Sequence, residues 1–334
     1  MHSFIQELTS SGRKALGYGV LVAALSVLIL TAVLGEPRSV VESPKPEPVV
    51  QEPQPVVRTD PFDAVRLEAA SAYVLDVSSG DILYEKNATA RYPLASITKI
   101  MSAVTATDLM PQYTVVTITD DALILEGDNG LYGQERWTIE DLLDFSLVAS
   151  SNDAMGAIAS VAGAISGPHT TSTFQENVDL FVQAMNQKAR EIGLEDTRFM
   201  NPHGLDTDEF TSGSYGTARD TAALMQYALK EYPGLLESTG SPFVTSTSLS
   251  GITHVATNTN DVVDQIPGLL ASKTGFTDLS GGNLVVAFDA GLNRPMIAVV
   301  LGSSYNSRFD DMLQLVEASV SSVADVTRPD EPVL

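Results

Sequence analysis

Apolar residues in this chain of 334 residues fall into short strand-like runs and longer helical patterns, and their order predicts an architecture. Ala72–Val77 and Ile82–Glu85 are apolar runs on either side of Ser78-Ser79-Gly80-Asp81, which predicts a β-hairpin. A helix is predicted from about Ser96 to Leu109, with Ile97, Ile100 and Met101 on a face that reads as buried. Thr138–Ser146 begins another, with Thr138 as its N-cap and Asp141 three residues on. Asn152–Ala164 is small and apolar, as suits a buried helix, and Phe181–Ile192 and Ala218–Lys230 read as amphipathic helices. Leu284–Phe288 and Met296–Leu301 flank Ala290-Gly291-Leu292-Asn293-Arg294-Pro295 and predict a second hairpin, followed by a closing helix over Phe309–Val323. Strands at both ends with helices between them predict an α/β (α+β) fold, with one antiparallel sheet built from distant segments.

The ends of the chain show a different pattern. Residues 1–14 precede a stretch, 15–35, without a charged side chain, and Val20–Leu34 is almost wholly aliphatic. A membrane-spanning helix needs about 20 such residues. Arg13 and Lys14 just before it favour a cytoplasmic N-terminus. A cleaved signal peptide is the alternative, with a poor cleavage site at Thr31-Ala32-Val33-Leu34-Gly35-Glu36. Either reading exports the remainder of the chain, and the retained anchor gives a single-pass protein of the cell membrane with its catalytic domain outside. Residues 36–61 carry seven prolines interleaved with Glu and Val, a linker that favours extended polyproline conformation. At about 3.1 Å per residue it reaches on the order of 75 Å, as a spacer toward a cell wall or as a plain tether. The catalytic domain is expected over 62–325 and a disordered tail over 326–334.

Composition removes some functions. With 42 acidic against 19 basic residues the net charge is −23, and no basic stripe offsets it, which argues against nucleic-acid binding. The absence of cysteine rules out disulfides and thiolate metal sites, and four scattered histidines predict no metal or other cofactor.

Three short motifs then stand out in order: Ser96-Ile97-Thr98-Lys99, Ser150-Ser151-Asn152 and Lys273-Thr274-Gly275. A serine hydroxyl needs a base beside it to act as a nucleophile. Residues three apart share a helix face, so Lys99 is placed to take the proton of Ser96. A free lysine titrates near 10.4, and burial with a second nearby cation, for which Lys273 is the candidate, lowers that value. Ser150, Ser151 or Asn152 also fits an ordinary helix N-cap, a role compatible with chemistry.

The ordered trio is the motif set of serine enzymes that act on D-alanyl peptides and penicillins. Pro93-Leu94-Ala95 before it, Trp137-Thr138-Ile139-Glu140-Asp141-Leu142-Leu143, Phe199-Met200-Asn201-Pro202-His203-Gly204-Leu205, Thr217-Ala218-Arg219-Asp220 and Phe276-Thr277 extend the match from about Ala72 to about Ala318. The chain resembles the low-molecular-mass penicillin-binding proteins, specifically the D-alanyl-D-alanine carboxypeptidase family. That resemblance implies the serine β-lactamase/DD-peptidase-like fold: a five-stranded antiparallel sheet flanked by helices, with an all-helical subregion. It implies Ser96 as nucleophile, Lys99 as base, and Ser150 as a proton relay between Lys99, Lys273 and the leaving amine. It gives Asn152 the substrate's peptide carbonyl, Lys273 and Thr274 its terminal carboxylate, and the backbone N–H groups of Ser96 and Phe276 the oxyanion. Gly275 then lets the ligand backbone approach closely. Ser151 departs from the glycine common in relatives, at a position that faces away in the family pattern. His203 is expected to be structural, Arg219-Asp220 to form a structural ion pair, and Gly167–Glu176 to be an insertion that adjusts substrate access.

The implied function is a penicillin-binding D-alanyl-D-alanine carboxypeptidase acting on peptidoglycan stem peptides, with β-lactam antibiotics as inhibitors. A D,D-endopeptidase that cuts cross-links with the same residues is the alternative. A β-lactamase fits less well, because no separate deacylating glutamate is recognisable. A non-catalytic wall-binding protein would not need all the motifs.

Overall fold

A computed structural model describes residues 59–127, 130–167, 172–291 and 293–327. The expected anchor, the linker up to residue 58, residues 168–171 of the expected insertion and the tail from 328 lie outside the described residues. Among the described residues no helix is long and apolar enough to cross a membrane.

In chain order, β1 (Ser71–Asp76) and β2 (Ile82–Lys86) form the first hairpin, and β3 (Tyr92–Pro93) leads through a 3-10 turn at Ala95–Ile97 into α1 (Thr98–Leu109). Strands β4 (Val115–Thr117) and β5 (Arg136–Thr138) bracket a single helical turn, α2 (Asp120–Leu123). Helices α3 (Ile139–Ala149), α4 (Asn152–Ser166) and α5 (Phe174–Ile192) come next. Then come β6 (Arg198–Phe199), β7 (Ser214–Gly216), α6 (Ala218–Glu231), β8 (Phe243–Thr247) and β9 (Thr253–Thr257). Strands β10 (Leu269–Thr277), β11 (Gly281–Asp289) and β12 (Pro295–Ser303) precede the last helix, α7 (Ser307–Thr327).

The main sheet has five antiparallel strands in the order β10-β11-β12-β1-β2. The expected hairpins are therefore joined by pairing the first strand with the last, Val74 opposite Ala298. Alternation of side chains splits the sheet into two buried faces. Val285, Ile297, Val299 and Leu301 join one apolar cluster with α1, α3, α4 and α6. Leu284, Val286, Ala298 and Val300 join a second with Met312, Leu315 and Val316 of α7. Burial on both faces explains why these strands read as nearly continuous apolar runs, since each large side chain removed from water contributes about 2 kcal/mol.

Helix ends obey their capping residues. Thr138 caps α3 by accepting the Asp141 N–H at 3.2 Å, as expected. Helix α5 starts seven residues before the predicted Phe181, because Thr173 and Glu176 form a reciprocal capping box. Part of the expected insertion is therefore this helix's first turn. Helix α7 runs on to Thr327, past the predicted boundary at 326.

Candidate functional site

The site lies where the edge strand β10 meets the turn before α1 and the junction of α3 and α4. Ser96 is in the 3-10 turn rather than the α-helix proper, which begins two residues later. Ala95, just before it, has φ +49°, and Ser150 has φ +60°. Left-handed backbone at non-glycine residues is costly, and here two instances sit in or beside the motifs. The turn is held from below: Asn283, fully buried on β11, donates to the Pro93 carbonyl at 2.9 Å and accepts the Gly302 N–H at 2.8 Å.

Glycine is required at two contacts with this turn. A Cβ on Gly204 would sit 1.9 Å from the Ala95 carbonyl oxygen. A Cβ on Gly275 would sit 2.7 Å from the Leu94 carbonyl and 3.3 Å from the Ser96 nitrogen. Gly275 thus brings the β10 backbone against the nucleophile's own amide, which places Phe276 next to it.

Ser150-Ser151-Asn152 divides its work by position. Ser150 ends α3, and Ser151 is the N-cap of α4, accepting the Ala154 N–H at 3.1 Å. The expected cap is therefore Ser151, which is fully buried and turned from the site. Ser150 and Asn152 remain for the site.

Lys99 is fully buried, as Ile97, Ile100 and Met101 beside it predict. Its Nζ lies 2.7 Å from Ser96 Oγ, 2.7 Å from Asn152 Oδ1 and 3.0 Å from the His203 carbonyl oxygen. Two of these partners, an amide oxygen and a backbone carbonyl oxygen, can only accept. A neutral Lys99 therefore spends its two protons on them and turns its lone pair to the Ser96 hydroxyl. Burial, and then the charge of Lys273, holds Lys99 well below the usual lysine value.

Lys273, 2% exposed, donates to Ser150 Oγ at 2.9 Å and to the Thr274 carbonyl at 3.1 Å. Burial, with Arg308 second, lowers it to about 7. Ser150 Oγ thus meets Lys273 directly, which puts one half of the expected relay in place. Thr274 Oγ1 shares a 2.5 Å hydrogen bond with Thr259 Oγ1. The Asn152 amide donates to the Glu126 carbonyl at 2.6 Å. A ligand carbonyl would have to share or displace that bond.

His203 is structural in its ring. Nδ1 accepts the Leu205 N–H at 3.2 Å, and burial, then Lys99, lowers it to about 3, so the ring stays neutral. Only its backbone carbonyl belongs to the site. The expected Arg219–Asp220 ion pair does not form. Asp220 instead accepts the Asp196 N–H at 3.1 Å and the Thr197 hydroxyl at 2.7 Å, because it sits in the first turn of α6 and faces that loop.

The sequence reading missed Arg308. Its side chain lies between the rings of Tyr305 and Phe309, with Cζ 4.4 and 4.6 Å from their centroids, and Nη1 donates to the Gly275 carbonyl at 3.2 Å. It is 3% exposed, and its Nε has no hydrogen-bond partner among the described residues. A lone arginine at the start of an amphipathic helix carries no motif. Ser96, Ser150, Thr274, Phe276 and Arg308 line one cavity of about 400 Å³. Larger depressions, of about 550 Å³ beside Tyr232 and about 1120 Å³ along α5, have no comparable nucleophile–base pair in their linings.

Comparison with known proteins agrees with this geometry. A family model described as D-alanyl-D-alanine carboxypeptidase matches residues 57–305. D-alanyl-D-alanine carboxypeptidase DacF of Bacillus subtilis is 32% identical over 243 residues, covering 71% of this chain and 58% of its own. The chain thus spans less than two thirds of that relative's length. A D-alanyl-D-alanine endopeptidase of Pseudomonas aeruginosa is 27% identical over 260 residues, covering 75% of this chain and 76% of its own. Among solved structures, penicillin-binding protein D2 from Listeria monocytogenes in its ampicillin-bound form is 27% identical. It covers 76% of this chain and 98% of its own with a TM-score of 0.61.

Proposed function

This chain belongs to the D-alanyl-D-alanine carboxypeptidase family, and from that premise we propose that it removes the terminal D-alanine of peptidoglycan stem peptides through an acyl-enzyme on Ser96. The observation that carries the reading is the buried Lys99 within 2.7 Å of Ser96 Oγ, with both its other partners obligate acceptors. Ser96 Oγ attacks the carbonyl of the penultimate D-alanine while its proton passes to Lys99 Nζ. The oxyanion faces the backbone N–H groups of Ser96 and Phe276, a donor pair of which each member typically contributes about 3 kcal/mol. The intermediate collapses, the C–N bond breaks, and the amine of D-alanine takes a proton through Ser150, which Lys273 holds at 2.9 Å. Water, activated by the same base, then cleaves the ester and frees Ser96. Lys273, Thr274 and Arg308 supply charge and hydroxyl for the departing residue's carboxylate, and Asn152 takes the donor's peptide carbonyl. β-Lactams would acylate the same serine, as the ampicillin-bound relative suggests.

The two lysines set the pH profile. Lys99 must be neutral, so kcat/KM rises with pH through its lowered value. Lys273 must be charged to meet the carboxylate, so kcat/KM falls again as pH passes about 7. A bound carboxylate raises Lys273, so the alkaline limb should move to higher pH in kcat. A rate profile on a short D-alanyl-D-alanine peptide checks this; coincident alkaline limbs in the two parameters would contradict the carboxylate contact.

A second reading, D,D-endopeptidase, is favoured by the Pseudomonas relative, of whose length this chain covers 76%. Digestion of purified muropeptides by the full chain, read by mass spectrometry, separates the two. The carboxypeptidase reading predicts loss of one alanine from pentapeptide monomers with cross-linked dimers left intact. Conversion of dimers to monomers favours the endopeptidase. The uncharged stretch 15–35 supports anchoring at the cell membrane with the catalytic domain outside. N-terminal mass measurement of membrane-derived protein tests that point: a mature start near Glu36 would show cleavage.

A further inference from the structure

The cavity beside Ser96 is lined by polar side chains and glycine except at two places, Phe276 and Tyr305. Their rings meet edge to face, centroids 5.0 Å apart at 86°, and stay 44% and 51% exposed. Large aromatic side chains left half in water at a cavity mouth are a binding surface rather than core. Tyr305 also lays its ring face over the Arg308 guanidinium at 4.4 Å, so the aromatic wall stands directly beside the cation that faces the cavity.

We infer that Tyr305, backed by Phe276, is the specificity-determining surface that receives the Cα substituent of the leaving residue, a methyl group in D-alanine. This rests on the peptidase reading above and deepens it. The leaving residue then has three attachments: its nitrogen toward Ser150, its carboxylate toward Thr274 and Arg308, and its methyl on the aromatic wall. Three points are the minimum that fixes chirality. With two of them polar, the third must be apolar, and these rings are the apolar side chains that the cavity offers. The wall also limits size, because a longer substituent meets two rings locked together by their edge-to-face contact and by Arg308 and Phe309 beneath.

The test compares otherwise identical peptides ending in D-alanine, glycine and D-leucine with the full chain and its Tyr305→Ala and Tyr305→Phe variants. A methyl group in an apolar subsite is worth at least about tenfold in kcat/KM, so the wild type should prefer D-alanine over glycine by about that factor. Tyr305→Ala should cut this preference at least about fivefold and raise D-leucine relative to D-alanine, while Tyr305→Phe keeps the wild-type ratios. Ratios are the readout because Tyr305 also steadies Arg308, and a purely structural role would lower all three peptides together. Unchanged ratios in Tyr305→Ala, with or without a uniform loss, overturn the inference. If the wild type releases none of the three residues, the peptidase reading itself fails and takes this subsite with it.

Discussion

Ser96→Ala is expected to abolish covalent labelling of the full chain by a fluorescent penicillin, lowering the acylation rate by at least about 10⁴-fold. The size comes from the chemistry: without Oγ no ester forms, and no neighbouring group substitutes. Ser150 Oγ is the next hydroxyl in the cavity, but it accepts a proton from the charged Lys273 at 2.9 Å, an arrangement that cannot activate it as Lys99 activates Ser96. The fold should survive the change. Ser96 is half-buried, and Lys99 keeps Asn152 and His203 as partners. Thermal unfolding should therefore shift by only a few degrees. Wild-type labelling of the variant would show that another residue is the nucleophile.

Lys273→Ala should cost a peptide with a free C-terminal carboxylate about 10²-fold in kcat/KM beyond what it costs the C-terminal amide. Some loss is common to both substrates, because Lys273 also holds Ser150. The part specific to the carboxylate emerges from the four rates of wild type and variant on acid and amide. Lys273→Arg, which keeps the charge but not the shape, should recover part of it. The charge counts for more than usual in a chain of net −23, whose field repels an anionic substrate. Additive effects, with no coupling between the carboxylate and Lys273, would remove this residue from recognition.

Local pattern made much of this legible in the sequence. Both hairpins, the cap at Thr138 and the buried face of Ile97, Ile100 and Met101 arise from periodicity and capping chemistry. So does the proximity of Ser96 and Lys99, three residues apart. What the pattern could not show is long-range. Nothing local announces that the first strand pairs with the last, Ser71 opposite Leu301. Nor does it show that Ser151 would cap α4, since three adjacent polar residues compete for that role and only the backbone decides. The early start of α5 was hidden because Thr173 and Glu176 sit in a stretch that reads as a loop until the capping box is seen. Arg308 and Tyr305 reach the cavity from the start of the last helix, 212 and 209 residues after Ser96. Only the register of β10, β11 and β12 brings them there.

The most direct test of the central claim tracks one peptide through one reaction. The full chain and its Ser96→Ala variant are incubated with a stem pentapeptide ending in D-alanyl-D-alanine, and the products are read by mass spectrometry with chiral analysis of the released amino acid. The account predicts equimolar tetrapeptide and free D-alanine from the wild type and untouched pentapeptide from the variant. Cleavage at any other bond, or the same products from both proteins, would contradict it.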